Sequence, residues 1–467
     1  MRQWRVGTFT MGIALVAIGA VMLVAQINGY SALDLILKWW PLVLVMLGIE
    51  VLVYIALSKQ EEPRLKFDGF SIFMLVIIMI FSAGAFTVSS VASAIRFNPS
   101  FLSKFNIYKD ESTFKKNYTV ETKGRDKLSV ENHSGNVEVV KGDNANIEIE
   151  ANIKIQHNDE EETVAQIAES IVEISETNII KVSNESGKVA SRNNRYTISV
   201  DYYIKVPEKM SVEVESKFGD VLVDGIDLSA VVKNSNGSTV LKSIGTDIKV
   251  DSSFGDVSAE NVGGKAEVEL KNGTLVLRNI DGSLNASNAF GDIDVNNIKG
   301  DVTLSGSNGD INAGRVEGKL KVNGKFSSMS FVGISGNADI EGGNGNIYLE
   351  EADGDVKVRN SFGNIDVVNA HKAIDLKGGN GDISLDTSKL IEKDVSITNK
   401  FGNIFIEIPE NQNGHFDLKT SFGSITNGFG LEVKEEINRH NASGTLVNDD
   451  VKFNIDNANG DISVEKS

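Results

Sequence analysis

The chain has 467 residues, with 44 Gly, 5 Pro and no Cys, and a formal charge of −18. That length exceeds one compact core, and the lack of Cys excludes a disulfide-stapled fold, thiol chemistry and Cys-ligated zinc. The charge is split: residues 1–99 carry seven Lys/Arg and five Asp/Glu, net +2, so the remainder is about −20 and disfavours nucleic acid or anionic lipid as partner, which need Lys/Arg.

Three apolar stretches open the chain, at residues 6–27, 41–57 and 70–92, each long enough to span a bilayer. The first follows Arg2 and Arg5 but is too long for a signal peptide and lacks a small-x-small cleavage site, so it reads as uncleaved. Arg2, Arg5, Lys59, Arg64 and Lys66 fall on one side against Lys38 on the other, which places the amino terminus in the cytoplasm. Three crossings then put the acidic remainder outside the membrane. Trp39 and Trp40 suit an interfacial belt, and Pro41 can open the second helix. Glu50 sits near the middle of that span, where a carboxylate is costly unless it faces a partner, and is the candidate intramembrane partner contact. The expected layout is a three-helix transmembrane region at 1–94 and a juxtamembrane linker at 95–117.

Residues 118–210 read as irregular β structure, with alternation in Leu128-Ser129-Val130-Glu131 and Ile147-Glu148-Ile149-Glu150. One helix interrupts it. Asn158 or Asp159 can cap this helix, and Val164, Ile167, Ala168 and Ile171 form an apolar face expected to cover one side or end of the repeat array beyond it.

From 211 to 467 the chain repeats. Gly recurs at 219, 237, 255, 273, 291, 309, 345, 363 and 381, every 18 residues, with Ser327 filling one gap. The preceding residue alternates Phe218, Asn236, Phe254, Asn272 and onward to Phe362 and Asn380, so the full unit is 36 residues. Phe401, Phe422 and Asn459 begin later, irregularly spaced copies. Counting each Phe or Asn as zero, positions 3, 5, 8, 12 and 14 are apolar in nine successive rungs except at Thr239. Two-residue spacing means two short strands per rung with one face buried. Gly, Asp, Asn and Ser at positions 1 and 2, and Gly at position 10, are expected to supply turns with positive φ. The fold class is therefore an all-β, single-stranded β-solenoid of 18-residue rungs, preceded by three transmembrane helices, with the stretch 431–452 blunting its far end. The Phe/Asn alternation is read as relief of crowding at a narrow corner, with Asn bonding the turn backbone.

Two parts of the chain resemble known families. Trp39-Trp40-Pro41 and Gly48-Ile49-Glu50 resemble the LiaI/LiaF-like transmembrane region of bacterial envelope-stress proteins. From about Tyr118, the Asn-Gly-Asp-Ile and Phe-Gly-Asp-Ile units resemble bacterial β-strand-repeat domains labelled as adhesins. The resemblance implies a surface-exposed, non-catalytic solenoid.

Asp256, Asp292, Asp310 and Asp382 share one turn position and read as turn formers, and His133, His157, His371, His415 and His440 are scattered, so neither enzyme nor cofactor is expected. Gly378-Gly379-Asn380-Gly381-Asp382 approaches a calcium-roll motif, with Ile383 where a ligand would fall. Position 4 carries no aromatic stripe. The expected function is an envelope protein, integral to the membrane, whose acidic rod binds a cell-wall component or surface protein. The alternatives are a stress regulator acting on a membrane sensor kinase, and a calcium-binding β-roll.

Overall fold

The computed structural model describes Tyr108, residues 110–184, Ser186 and residues 196–467, together with Gly12, Ile13, Val16, Met46, Ile49, Glu50 and Val53. The chain divides into two compact units, Met1–Ile107 and Tyr108–Ser467. In the first, those seven residues are helical; the three expected spans otherwise lie outside the described residues. Among the described residues no helix is long and apolar enough to cross a membrane.

The second unit is an all-β solenoid. Its chain-order elements begin β1 (Asp110–Glu121), β2 (Lys127–Asn132), β3 (Val137–Lys141), β4 (Asn146–His157), α1 (Glu161–Ile171), β5 (Val172–Glu176), β6 (Ile180–Asn184), β7 (Thr197–Val206), β8 (Ser211–Ser216) and β9 (Val221–Asp224). The stretch read as a linker thus holds the first part of a strand from Asp110 onward. Every rung after Val206 then places one strand in each of two facing sheets. In one rung, Ile293–Ile298 stacks in parallel between Leu275–Ile280 and Ile311–Val316, while Val302–Asn308 stacks between Leu284–Phe290 and Leu320–Phe326. Partners are 18 residues apart, so equivalent side chains form continuous columns. Positions 3, 5, 8, 12 and 14 of the nine regular rungs are all buried, Thr239 included; its Oγ1 accepts from Asn234 Nδ2 at 3.3 Å.

Three further positions in the rung complete its geometry. Position 1 Gly has φ between 110° and 139° in the rungs from Gly219 to Gly381, and a Cβ there would overlap the carbonyl of the preceding rung's turn. At position 10 the expected positive φ is absent. Gly282, Gly300, Gly318, Gly336 and Gly354 are needed because a Cβ would strike the backbone of the rung before. The left-handed residue lies at position 7 instead: Ser243, Asn261, Asn279, Asn297, Arg315 and Glu351 have φ of 53° to 61°. Asn tolerates that conformation best, and Asn279 and Asn297 donate to the side chains of Asn261 and Asn279 at 2.9 and 2.8 Å.

Position 16 forms a sixth inward column that is largely polar. Asn132, Asn234, Asn288, Asn360, Asn399 and Asn457 are buried there. Each donates Nδ2 to a glycine carbonyl of the position 1 turn. Asn360, for example, reaches Gly345 at 2.8 Å and Gly363 at 3.1 Å. This ties the tightest turn to the core from inside.

The ends depart from simple winding. At one end the sheets run β1-β4-β7-β3-β9 and β5-β6-β2-β8, so β2 and β3 form a rung directly beneath β8 and β9 although they precede them by many residues. Helix α1 joins one sheet to the other. Its buried Val164, Ala168 and Ile171 and half-buried Ile167 pack on β1, β4 and β5, which closes the core. Its cap position is Glu160, not Asn158 or Asp159; the Asp159 carboxylate accepts from the Tyr196 hydroxyl. At the other end the strand Lys452–Asn459 lies between Val395–Phe401 and Gly414–Phe422, so the last rung in sequence is inserted between two earlier ones. The hairpin Val433–Glu436 and Arg439–Leu446 then covers Gly414–Phe422 in antiparallel fashion, blunting the edge as expected. Phe416 stacks on Phe453 with centroids 4.2 Å apart, and Phe429 on Phe416 at 5.8 Å.

The two kinds of glycine should respond differently. Gly282→Ala is expected to lower stability by about 1–3 kcal/mol through backbone overlap, whereas Gly333→Asn, at a left-handed position with φ 72°, should be near neutral. Thermal melts followed by circular dichroism check this; equal losses would contradict it.

Candidate functional site

The column at position 0 lies on the outer corner where the second sheet meets the position 1 turn. The residue two places earlier faces inward and the Gly after it reverses the chain, so the side chain at zero is left outside. Phe218, Phe254, Phe290, Phe326, Phe362, Phe401 and Phe422 are all 52–61% exposed. Register pairs each with an Asn of the neighbouring rung, as in Asn272↔Phe290 and Phe290↔Asn308. The irregular copies conform in space: Asn459 sits between Phe401 and Phe422, because Gly402 N–H donates to Asn459 O at 3.1 Å and Gly460 N–H to Phe422 O at 2.8 Å. Seven rings therefore stand on alternate rungs along one edge, about 9.5 Å apart, over about 58 Å.

This corrects the crowding argument and the absence of an aromatic stripe. The rings face solvent instead of filling a corner. The sequence holds the signal, five Phe at one 36-residue phase and two more in the irregular copies, but an apolar column reads by default as core. The Asn half of the expectation agrees with the structure: Asn236, Asn272, Asn308 and Asn459 donate to backbone carbonyls one rung away at 3.2 to 3.5 Å.

Five of the turn acids beside the ladder are committed to the frame. Asp220, Asp256 and Asp292 accept the backbone N–H of Ser238, Thr274 and Asp310 at 2.8 to 2.9 Å, and the side chains of Asn136, Asn346, Asn364 and Asn403 accept equivalent N–H groups. Asp382, within the calcium-like motif, accepts from Asn403 N–H at 2.7 Å. Among the described residues no cluster of His, Asp or Glu has the arrangement to hold a metal ion. Asp461 accepts both the N–H and the hydroxyl of Ser424, which hold its carboxyl below the usual range.

A shallow groove of about 390 Å³ crosses the second sheet, lined in part by Asp339, Asp355, Asp375 and Asp394. Its acids have partners: Lys393 lies 2.9 Å from Asp355, Arg359 lies within 4 Å of Asp339 and Asp375, and Asp394 accepts from Lys452 N–H at 3.0 Å. On the first sheet Asp366 is held above the usual carboxylate range by burial and by neighbouring Asp382. The five His are dispersed; His157 bonds Ser112 Oγ and the Asp159 carbonyl, and burial followed by the charge of Lys217 lowers His133. Glu50, the sequence-derived candidate in the first unit, is helical and 4% exposed.

The Toastrack DUF4097 family model matches residues 125–332 and 299–465, and the LiaF transmembrane domain model matches residues 10–102. No curated protein matches the chain. One solved structure that it resembles is a candidate cell adhesion protein from Clostridium sporogenes, 12% identical, covering 76% of this chain and 100% of that one. The TM-score is 0.20, too low to support an argument.

Acid should weaken one tie measurably. The Lys393 ammonium, then the Ala373 N–H, hold the Asp355 carboxyl below its ordinary value. A group lowered in the folded state adds stability above its unfolded value and loses it as pH falls through the folded one. Asp355→Asn should therefore melt lower than the parent at neutral pH, with the gap closing below the usual carboxylate range; a gap independent of pH would refute the tie.

Proposed function

Since the chain belongs to the Toastrack DUF4097 family and its amino-terminal region matches the LiaF transmembrane domain, we propose that it is a non-enzymatic, membrane-anchored envelope protein that presents its solenoid outside the membrane as a binding rod. The observation that carries the binding reading is the exposed Phe ladder. Solvent-facing rings on every second rung do nothing for the core, and seven exposed rings aligned along one edge, unlike apolar side chains scattered singly, mark an interaction site. The excess of Lys and Arg around the first spans supports an inside amino terminus, and so an extracytoplasmic rod. The partner on this reading is a wall component or surface protein.

A second reading is regulatory. The LiaF-type match favours contact between the spans and a membrane sensor kinase, with Glu50 the candidate contact and the rod reporting envelope damage.

With the wall removed, external protease should shorten the chain in intact cells; protection would overturn the topology and both readings. Crosslinking in membranes separates them. Loss of a kinase partner in Glu50→Ala supports regulation, and a parent chain that captures no membrane partner supports surface binding alone.

A further inference from the structure

We propose that the Phe/Asn ladder is a binding track for an uncharged, extended β-1,4-linked glycan carrying acetamido groups; this rests on the surface-binding reading above. The first support is periodicity. In such a glycan successive sugar rings face opposite ways, so every second ring presents the same face, and the repeat is one disaccharide. The ladder offers one ring on every second rung, about 9.5 Å apart, close to the length of that unit. Seven such positions, from Phe218 to Phe422, would engage a strand of several disaccharides along one edge.

The second support is chemistry. Aromatic faces stack on the apolar faces of sugars, and the amides of Asn308, Asn344 and Asn380, exposed between the rings, can pair with hydroxyl and acetamido groups. The ladder itself carries no charge. Lys217, Lys271, Lys325 and Lys400 precede it on one side, and on the other Asp220, Asp256 and Asp292 already accept backbone N–H groups.

The third support is exclusion. The ladder runs across the strands, and its backbone groups are used between rungs, so a peptide cannot add there as a strand. A formal charge of about −20 on residues 100–467 opposes an anionic polymer and opposes a second copy of the chain.

The test uses the full chain in detergent micelles, titrated by calorimetry with the N-acetylglucosamine dimer, tetramer and hexamer, and with cellohexaose as the control without acetamido groups. Affinity should rise with each added disaccharide and be weaker for cellohexaose. Phe290→Ala/Phe362→Ala, which leaves no three successive rings, should lower hexamer affinity at least about tenfold while the melting temperature is retained, because both rings are exposed. Absence of binding by every N-acetylated oligomer, or equal binding by parent and double variant, would overturn the proposal. So would a concentration-dependent dimer abolished by the double substitution without saccharide binding, which would assign the ladder to a second copy. Sedimentation with isolated walls keeps the broader reading separate: retention lost in the double variant, with no oligosaccharide bound, would leave surface binding standing and remove the glycan.

Discussion

The solenoid depends on the distance between the backbones of consecutive rungs at their turns. At position 1 the carbonyl of one glycine occupies the space that a Cβ of the next would need, and at position 10 the same holds for a second file of glycines. Only this approach lets Gly219 N–H reach Asn236 O, and Gly237 N–H reach Phe254 O, at 2.9 Å. With the turns pinned, register is fixed, because a slip of one residue would carry the core columns to the outside. The Asn column inside and the Asp and Asn acceptors outside then brace the same turn from both directions.

Much of this is legible in the residues. The 18-residue phase of Gly, the five apolar columns and the Phe/Asn alternation each follow from repetition, and together they specify a two-stranded rung without reference to any contact. Three features are not. Position 7 is occupied by Ser, Asn, Arg, Gly and Glu, so its shared left-handed backbone has no common side chain to announce it. Position 16 mixes Asn, Ser, Leu and Gly, and its burial emerges only when one sees that a Gly there admits a neighbouring Ile or Met side chain while an Asn fills the space and caps the turn. The place of Asn459 between Phe401 and Phe422 is a matter of threading, on which local periodicity is silent.

For the candidate surface, the residues point to the column and to the wrong side of it. Phe is by default an interior residue, and the turn geometry after each of these seven is what directs them outward. Once outward, they stop being structural filler and become a ruler with one mark per two rungs. Three of the four acids that first suggest chemistry, Asp256, Asp292 and Asp382, are tied into the frame, so on the proposed reading specificity rests on spacing more than on any single reactive group.

The inserted rung has a mechanical consequence. In a plainly wound solenoid the outermost coil is the last in sequence, and a pull on the chain peels coils off one at a time. Here a pull on that end first meets strand Ile462–Lys466, paired in parallel with Ile404–Ile408 and Ile425–Asn427, and behind it strand Lys452–Asn459, held in parallel on both sides and bonded to a neighbour 58 residues away through Asp394 and Lys452. Removing it requires shearing two rows of hydrogen bonds together instead of unzipping one. The solenoid is thereby clasped at the end where simple winding would be weakest.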